Sequence, residues 1–164
     1  EAPVIAKILE LFPHTSLKER IAIADYLKIS NQEKEFITFY YHAKIILSSN
    51  KEQELYEWAH LYAHPSFPIC LKLIATHYNL EERQTFLQEH HMRQHILQKA
   101  IHKIQQKIPY LTSKQLRQAG IPNGKQMGVL LKEGERIGIN ESIENPEKII
   151  TYLKKTPLWK EPHL

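Results

Sequence analysis

At 164 residues, of which 42% are apolar and 24% charged, the chain is long enough for one large folded domain or two small ones. No apolar run approaches the roughly 18 residues of a membrane span, and no membrane partner is expected. The net charge of +4 conceals an asymmetry, because residues 83–132 carry nine Lys or Arg and one acid, Glu89. This basic window is +8 and the remainder is −4, which favours an anionic partner, although a solvated helix face would show the same charges.

Helix starts recur along the chain as a capping residue followed three positions later by Glu or Gln. The pairs are Ser16/Glu19, Ser30/Glu33, Ser49/Glu52, Asn79/Glu82 and Thr112/Gln115. Apolar residues between them repeat with helical spacing. This pattern predicts helices over residues 4–12, 17–28, 31–48, 51–63, 68–78, 80–107, 112–119, 124–138 and 146–154, followed by a tail with Trp159 docked.

The predicted fold class is all-α, because the sequence shows no convincing strand alternation and no hairpin dipeptide between apolar runs. A composition break near 109–112 separates a helical bundle body, residues 1–108, from a small helical tail module, residues 109–164. The single cysteine, Cys70, lies in an apolar helix and is predicted to pack in the core. It cannot form an internal disulfide, so a reducing, cytoplasmic compartment is expected. The first residue is Glu1 rather than Met, which fits a fragment or a processed product.

All five glycines lie between residues 120 and 138. Gly120 is expected in a left-handed conformation at a helix end, and Gly124 or Lys125 is expected to open the next helix. Gly128, inside that helix, indicates close approach of another backbone. Gly134 and Gly138 are expected to weaken and then end it. The tail module is therefore predicted to contain a glycine-containing, helix-hairpin-helix-like corner.

This corner is the candidate binding site. A helix N-terminus favours anions, and the segment GIPNGK presents one without a bulky side chain and beside a lysine. Two helices joined in this way could hold a nucleic-acid backbone without reading bases. The alternative is that the two helices pack tightly at this corner and that the glycines are there only because larger side chains would not fit. The predicted phosphate contacts at and near the corner are Lys114, Arg117, Asn123, Gly124, Lys125 and Lys132. Further predicted contacts on the long helix over 80–107 are Arg93, Lys99 and Lys103.

No catalytic constellation is recognisable. Asp25 is the only aspartate, and there is no phosphate-binding glycine loop before residue 120 and no nucleophile elbow. Two histidine pairs, His60/His64 and His91/His95, have the four-residue spacing of helical metal ligands but no third ligand nearby. No catalytic residue and no metal site are predicted.

The segment LTSKQLRQAGIPNGKQMGVLL, residues 111–131, resembles the C-terminal signature of the bacterial class II tRNA nucleotidyltransferase and poly(A) polymerase family. The matching positions are Leu111, Thr112, Leu116, Gly120, Gly124, Gly128 and Leu131. The departures are Ser113 and Gln115 in place of Gly and Asp, and Asn123 and Lys125 in place of prolines. LKISNQEKEFI, residues 27–37, and the segment NPEKIITYL also resemble stretches of the family.

The resemblance implies the body and tail of an enzyme that bind tRNA or another structured RNA while an N-terminal head adds nucleotides to its 3′ end. It implies that this chain alone is inactive and holds no cofactor. Mg and ATP or CTP are expected only with the head, which decides between CCA, CC, A and poly(A) addition. The alternative is a helical protein-interaction module with no nucleic-acid role. In either case, two copies could pair through body helices as a homo-oligomer.

Overall fold

The computed structural model describes residues 4–5, 8, 11–12, 14–49 and 51–160. In this part the chain forms nine helices and no strand, which confirms the all-α fold. The helices are α1 (Leu17–Tyr26), α2 (Asn31–Leu47), α3 (Leu55–Ala63), α4 (Phe67–Ala75), α5 (Leu80–Ile96), α6 (Gln98–Gln105), α7 (Ser113–Gln118), α8 (Lys125–Asn140) and α9 (Pro146–Leu153). The helix predicted over 4–12 includes positions outside the described residues. Among the helices that the structure describes, none has the length and apolar character to cross a bilayer.

The predicted caps account for four helix starts. Ser16, Ser30 and Thr112 each accept a hydrogen bond from the backbone N–H three residues on, and the Glu or Gln at that position accepts one in return. Asn79 and Glu82 make the same reciprocal pair. The fifth cap was wrong, because the Ser49 hydroxyl accepts from the N–H of Lys51 instead, and α3 starts at Leu55.

Contacts divide the chain into two compact units. Unit 1 comprises Glu1–Gln53 and His64–His95, and unit 2 comprises Glu54–Ala63 and Ile96–Leu164. The sequence analysis placed a boundary between 108 and 109 instead. The contacts assign α3 and α6 to the unit that contains the C-terminal helices.

Unit 1 contains α1, α2, α4 and α5 as far as His95. Helix α2 packs against both α1 and α4. The core includes Ile37, Tyr40, Phe67 and Ile74, each at most 2% exposed. Cys70 is fully buried among them, which confirms its predicted packing role.

Unit 2 contains α3, α6, α7, α8 and α9. Helix α3 packs against α6 and α8, while α7 and α9 both pack against α8. Its core includes Leu116, Ile121, Leu130, Ile149 and Leu153, each at most 1% exposed. Helix α8 is therefore the element on which the rest of unit 2 is assembled.

The helix predicted over 80–107 is two helices. Helix α5 ends at Ile96, and α6 begins at Gln98 after Leu97, whose φ and ψ of −90° and 7° interrupt the helix. The break falls beside the boundary between the two units. Apolar residues keep their helical spacing through this point, so the sequence pattern did not reveal the interruption.

Two predictions about the glycines of α8 were wrong. The helix continues through Gly134 and Gly138 to Asn140, and the chain leaves it where Ser142 has a φ of 53°. A Cβ atom added at Gly128 would have no neighbouring atom within 4 Å beyond its own stretch of helix in the described part of the chain, so no other described backbone approaches it. The close approach occurs at Gly138, where an added Cβ would lie 3.0 Å from two ring carbons of Tyr110.

Candidate nucleic-acid interface

The corner between α7 and α8, residues 119–125, is built from the two predicted glycine positions. Gly120 has a φ of +94°, and the N–H of Ile121 donates to the carbonyl of Leu116 at 3.0 Å, which closes the end of α7. Gly124 has a φ of +151° and precedes the first residue of α8, as predicted. With Gly124 there, no side chain caps the first N–H groups of α8.

Cationic side chains surround this corner. Lys114, Arg117 and Lys125 are exposed, as are Asn123 and Gly124. Lys114 and Arg117 lie three residues apart on α7 and therefore share one face of that helix. Within the described part of the chain, the side chains of Lys114, Arg117 and Lys125 have no carboxylate or hydrogen-bond partner. The corner is thus an open positive surface at a helix N-terminus.

A second group of cations lines a groove of unit 2. Lys103, Lys107 and Lys132 border this groove, which has a volume of about 370 Å³. The Nζ of Lys103 lies 4.3 Å from the ring centroid of Tyr110. Tyr110 is 7% exposed, and its burial raises the pKa of the phenol to about 12. Lys103 and Lys132 were predicted as phosphate contacts. Lys107 was not predicted, although it belongs to the basic window and follows Lys103 by four residues.

The other two predicted residues are placed differently. The Nζ of Lys99 lies 3.8 Å from Glu144 Oε1 and borders a separate cavity of unit 2. Arg93 belongs to unit 1 and already interacts with another group of the protein. The predicted set therefore falls into a corner group, a groove group and these two cations.

Among the described residues of unit 2, three carboxylates, those of Glu54, Glu133 and Glu144, pair with its Lys or Arg side chains. Arg136 donates to Glu133 at 2.7 Å and to both oxygens of Glu54 at 2.9 and 3.0 Å. Hydrogen bonds from Asn140 and Arg136 lower the pKa of Glu54, and the bond to Glu133 raises that of Arg136. The same Asn140 accepts from the N–H of Tyr56 at 2.9 Å, so this network fixes the start of α3 against α8.

Unit 2 carries the positive charge of the chain. Unit 2 contains twelve Lys or Arg and eight Asp or Glu, whereas unit 1 contains ten of each, so the entire net charge of +4 belongs to unit 2. Five cations of the basic window have side chains without a partner among the described residues. They are Lys107, Lys114, Arg117, Lys125 and Lys132. Unpaired cations of this kind are the ones available to phosphates.

The histidines form no metal centre in the described part of the chain, where no group of three or more His, Cys, Asp or Glu side chains is placed to hold an ion. His60 Nε2 is buried and lies 3.5 Å from Glu135 Oε2. His64 lies beyond the end of α3 and stacks on Phe39, with ring centroids 3.6 Å apart. The two imidazoles therefore do not share a helical face.

No protein-family model, curated protein or solved structure matches the chain. Function is therefore inferred from the chain's own residues.

Proposed function

We propose that unit 2 is an RNA-binding unit that holds structured RNA by its sugar-phosphate backbone. The observation that carries this proposal is the uneven pairing of charges in unit 2. Glu54, Glu133 and Glu144 pair with Arg136 and Lys99, while five cations of the basic window have no partner in the described residues. Releasing the counterions around such cations and around phosphates drives nucleic-acid binding.

The corner favours contacts to phosphate over contacts to bases. Gly124 leaves the N-terminus of the sixteen-residue helix α8 without a side-chain cap, and both its N–H groups and its dipole favour an anion there. Lys114 and Lys125 are compact point charges on flexible stems, which suit phosphate. Contacts of this kind position a nucleic acid without reading its sequence, and folded RNA is recognised largely by shape and phosphates.

The resemblance of residues 111–131 to the tRNA nucleotidyltransferase and poly(A) polymerase family makes tRNA the preferred structured RNA. We therefore include in the proposal that this chain works as part of such an enzyme. Nucleotide addition, with Mg and ATP or CTP, would then belong to a catalytic head outside these 164 residues. The chain alone is expected to incorporate neither ATP nor CTP into tRNA, and labelled nucleotide appearing in the tRNA would contradict this.

The test of RNA binding is a titration of labelled tRNA with the chain at two salt concentrations. An unstructured RNA of equal length serves as competitor. The test variant combines Lys114→Glu with Lys125→Glu. The control combines Lys18→Glu with Lys72→Glu, which makes the same charge change at exposed positions of unit 1. If both corner lysines contact phosphate, the slope of log affinity against log salt should fall by about 1.8 or more, since each contact contributes roughly 0.9.

Binding that prefers tRNA, weakens with salt, and loses affinity and salt dependence only in the corner variant would support the proposal. Equal losses in the corner and control variants would mean that net charge alone attracts the RNA. Absence of tRNA binding by the folded chain would contradict the proposal and favour the protein-interaction module.

A further inference from the structure

A second basic stretch follows the basic window. Residues 148–160 contain four lysines, Lys148, Lys154, Lys155 and Lys160, and no acid. The same stretch contains two large aromatic residues, Tyr152 near the end of α9 and Trp159 beyond it. The combination of cations with aromatic rings, rather than cations alone, is typical of surfaces that bind single-stranded nucleic acid.

Both rings lie at the surface, each beside a lysine. Tyr152 is 42% exposed, and Trp159 is half-buried. The Nζ of Lys154 lies 5.7 Å from the ring centroid of Trp159, and that of Lys155 lies 5.6 Å from the ring centroid of Tyr152. These distances are within the range of cation–π attraction, so each ring has a positive charge close to a face on which a base could stack.

Hydrogen bonds fix the segment that carries Trp159. The Thr156 hydroxyl donates to the carbonyl of Leu153 at 2.7 Å, and the N–H of Trp159 donates to the carbonyl of Thr156 at 3.2 Å. The ring is therefore presented by a turn with its own internal bonds. Because the backbone that carries the ring is already ordered, little backbone entropy is lost when a base stacks on it.

A side chain of α8 joins this segment to the corner. Gln126 Nε2 donates to the carbonyl of Lys160 at 2.8 Å and to that of Leu158 at 3.5 Å. Gln126 is the second residue of α8 and follows Lys125 directly. The segment thus lies against the N-terminal end of α8, beside the cations proposed to hold the RNA backbone.

We propose that unpaired nucleotides next to a folded part of the RNA stack on Trp159 and Tyr152, while Lys154, Lys155 and Lys160 contact the adjoining phosphates. This inference rests on the proposed function and specifies its ligand: a folded RNA that carries a single-stranded extension. Stacking tolerates any base, since every base offers a π-face, so no sequence preference is expected.

The probes are two RNA hairpins with the same stem and loop, one blunt and one extended at its 3′ end by six unpaired adenosines. The chain has two tryptophans, Trp58 and Trp159, so Trp58→Phe leaves Trp159 as the only fluorescent reporter. The extended hairpin should quench Trp159 fluorescence, and the blunt one should leave it unchanged. In Trp159→Phe, where Trp58 reports, neither hairpin should quench.

Affinity gives the second measurement. Trp159→Ala should weaken binding of the extended hairpin by at least about fivefold, the usual effect of losing one base–aromatic stack, and leave the blunt hairpin unaffected. Leu158→Ala is the matched control, because Leu158 is 38% exposed in the same segment and has no ring. It should bind both hairpins like the unmodified chain.

The outcomes separate the two proposals. If the blunt hairpin binds but the extension adds no affinity and no quenching, the stacking surface is wrong while RNA binding by unit 2 stands. Equal weakening of both hairpins by Trp159→Ala would make Trp159 a structural support only and overturn the inference. If the unmodified chain binds neither hairpin nor tRNA, RNA binding itself fails.

Discussion

Substituting Gly138 by Ala tests the packing of α8 against Tyr110. An added Cβ would clash with Cδ1 of that ring and lie 3.0 Å from its Cε1 and Cγ, so the buried ring would have to shift to admit it. Overpacking of this kind costs about 1–3 kcal/mol. Replacing glycine by alanine inside a helix also stabilises it by roughly 0.5–1 kcal/mol, because alanine loses less backbone entropy on folding. Gly138→Ala should therefore be neutral to destabilising, by up to about 2.5 kcal/mol.

Gly128→Ala is the matched control, because the same helix gains the same methyl group with no atom within 4 Å. The entropic gain is common to both variants. Their free energies of unfolding should therefore differ by about 1–3 kcal/mol, which is the cost of the clash alone. Both tryptophans belong to unit 2, so thermal unfolding followed by tryptophan fluorescence reports on this unit. Gly138→Ala should melt at least about 4 °C below Gly128→Ala. Equal melting temperatures would refute the close approach of Tyr110 to Gly138.

Three further predictions concern titratable groups. Burial lowers the pKa of His90 to about 4, so unit 1 should lose stability as pH falls from about 6.5 to 4, by up to about 1.4 kcal/mol per pH unit. Urea unfolding at several pH values should show a smaller slope in His90→Leu than in the unmodified chain. Burial raises the pKa of Cys70 to about 12, so iodoacetamide should label this thiol only as urea unfolds unit 1, and rapid native labelling would contradict its burial. Hydrogen bonds from Asn140 and Arg136 lower the pKa of Glu54. The stability that the ionised Glu54 gives unit 2 should therefore be complete above about pH 4.3 and decline below it. When acid unfolding of unit 2 is followed by tryptophan fluorescence, Glu54→Gln should remove this part of the pH dependence.

Local signals in the sequence predicted the helices well. Ser16, Ser30, Asn79 and Thr112 cap helices as expected, because capping depends on hydrogen bonds that span only three residues. Gly120 likewise adopts the expected positive φ, and α8 begins at Lys125, one of the two expected positions. These features are decided within a few residues of chain, so a single sequence contains the information for them.

Features that depend on distant residues were not predictable in the same way. Gly138 was expected to end α8, but its role is to accept Tyr110, which lies 28 positions earlier in the chain. One local pattern also failed, because the Ser49 hydroxyl accepts from the nearer N–H of Lys51. For the candidate site, composition identified the basic window, but only the packing of unit 2 separates the corner cations from Lys99, which pairs with Glu144.

The discontinuity of unit 2 has a consequence for synthesis of the chain. Helix α3 is bonded to α8 through Glu54 and Arg136, which are 82 positions apart. At translation rates of roughly 5–20 residues per second, α3 therefore exists for about 4–16 s before its partner has been made. During this interval α3, whose Ala59 and Leu61 are buried in the finished unit, has none of its contacts with α8. A nascent chain stopped at residue 124 should accordingly be cleaved by protease within α3, whereas the complete chain should resist cleavage there.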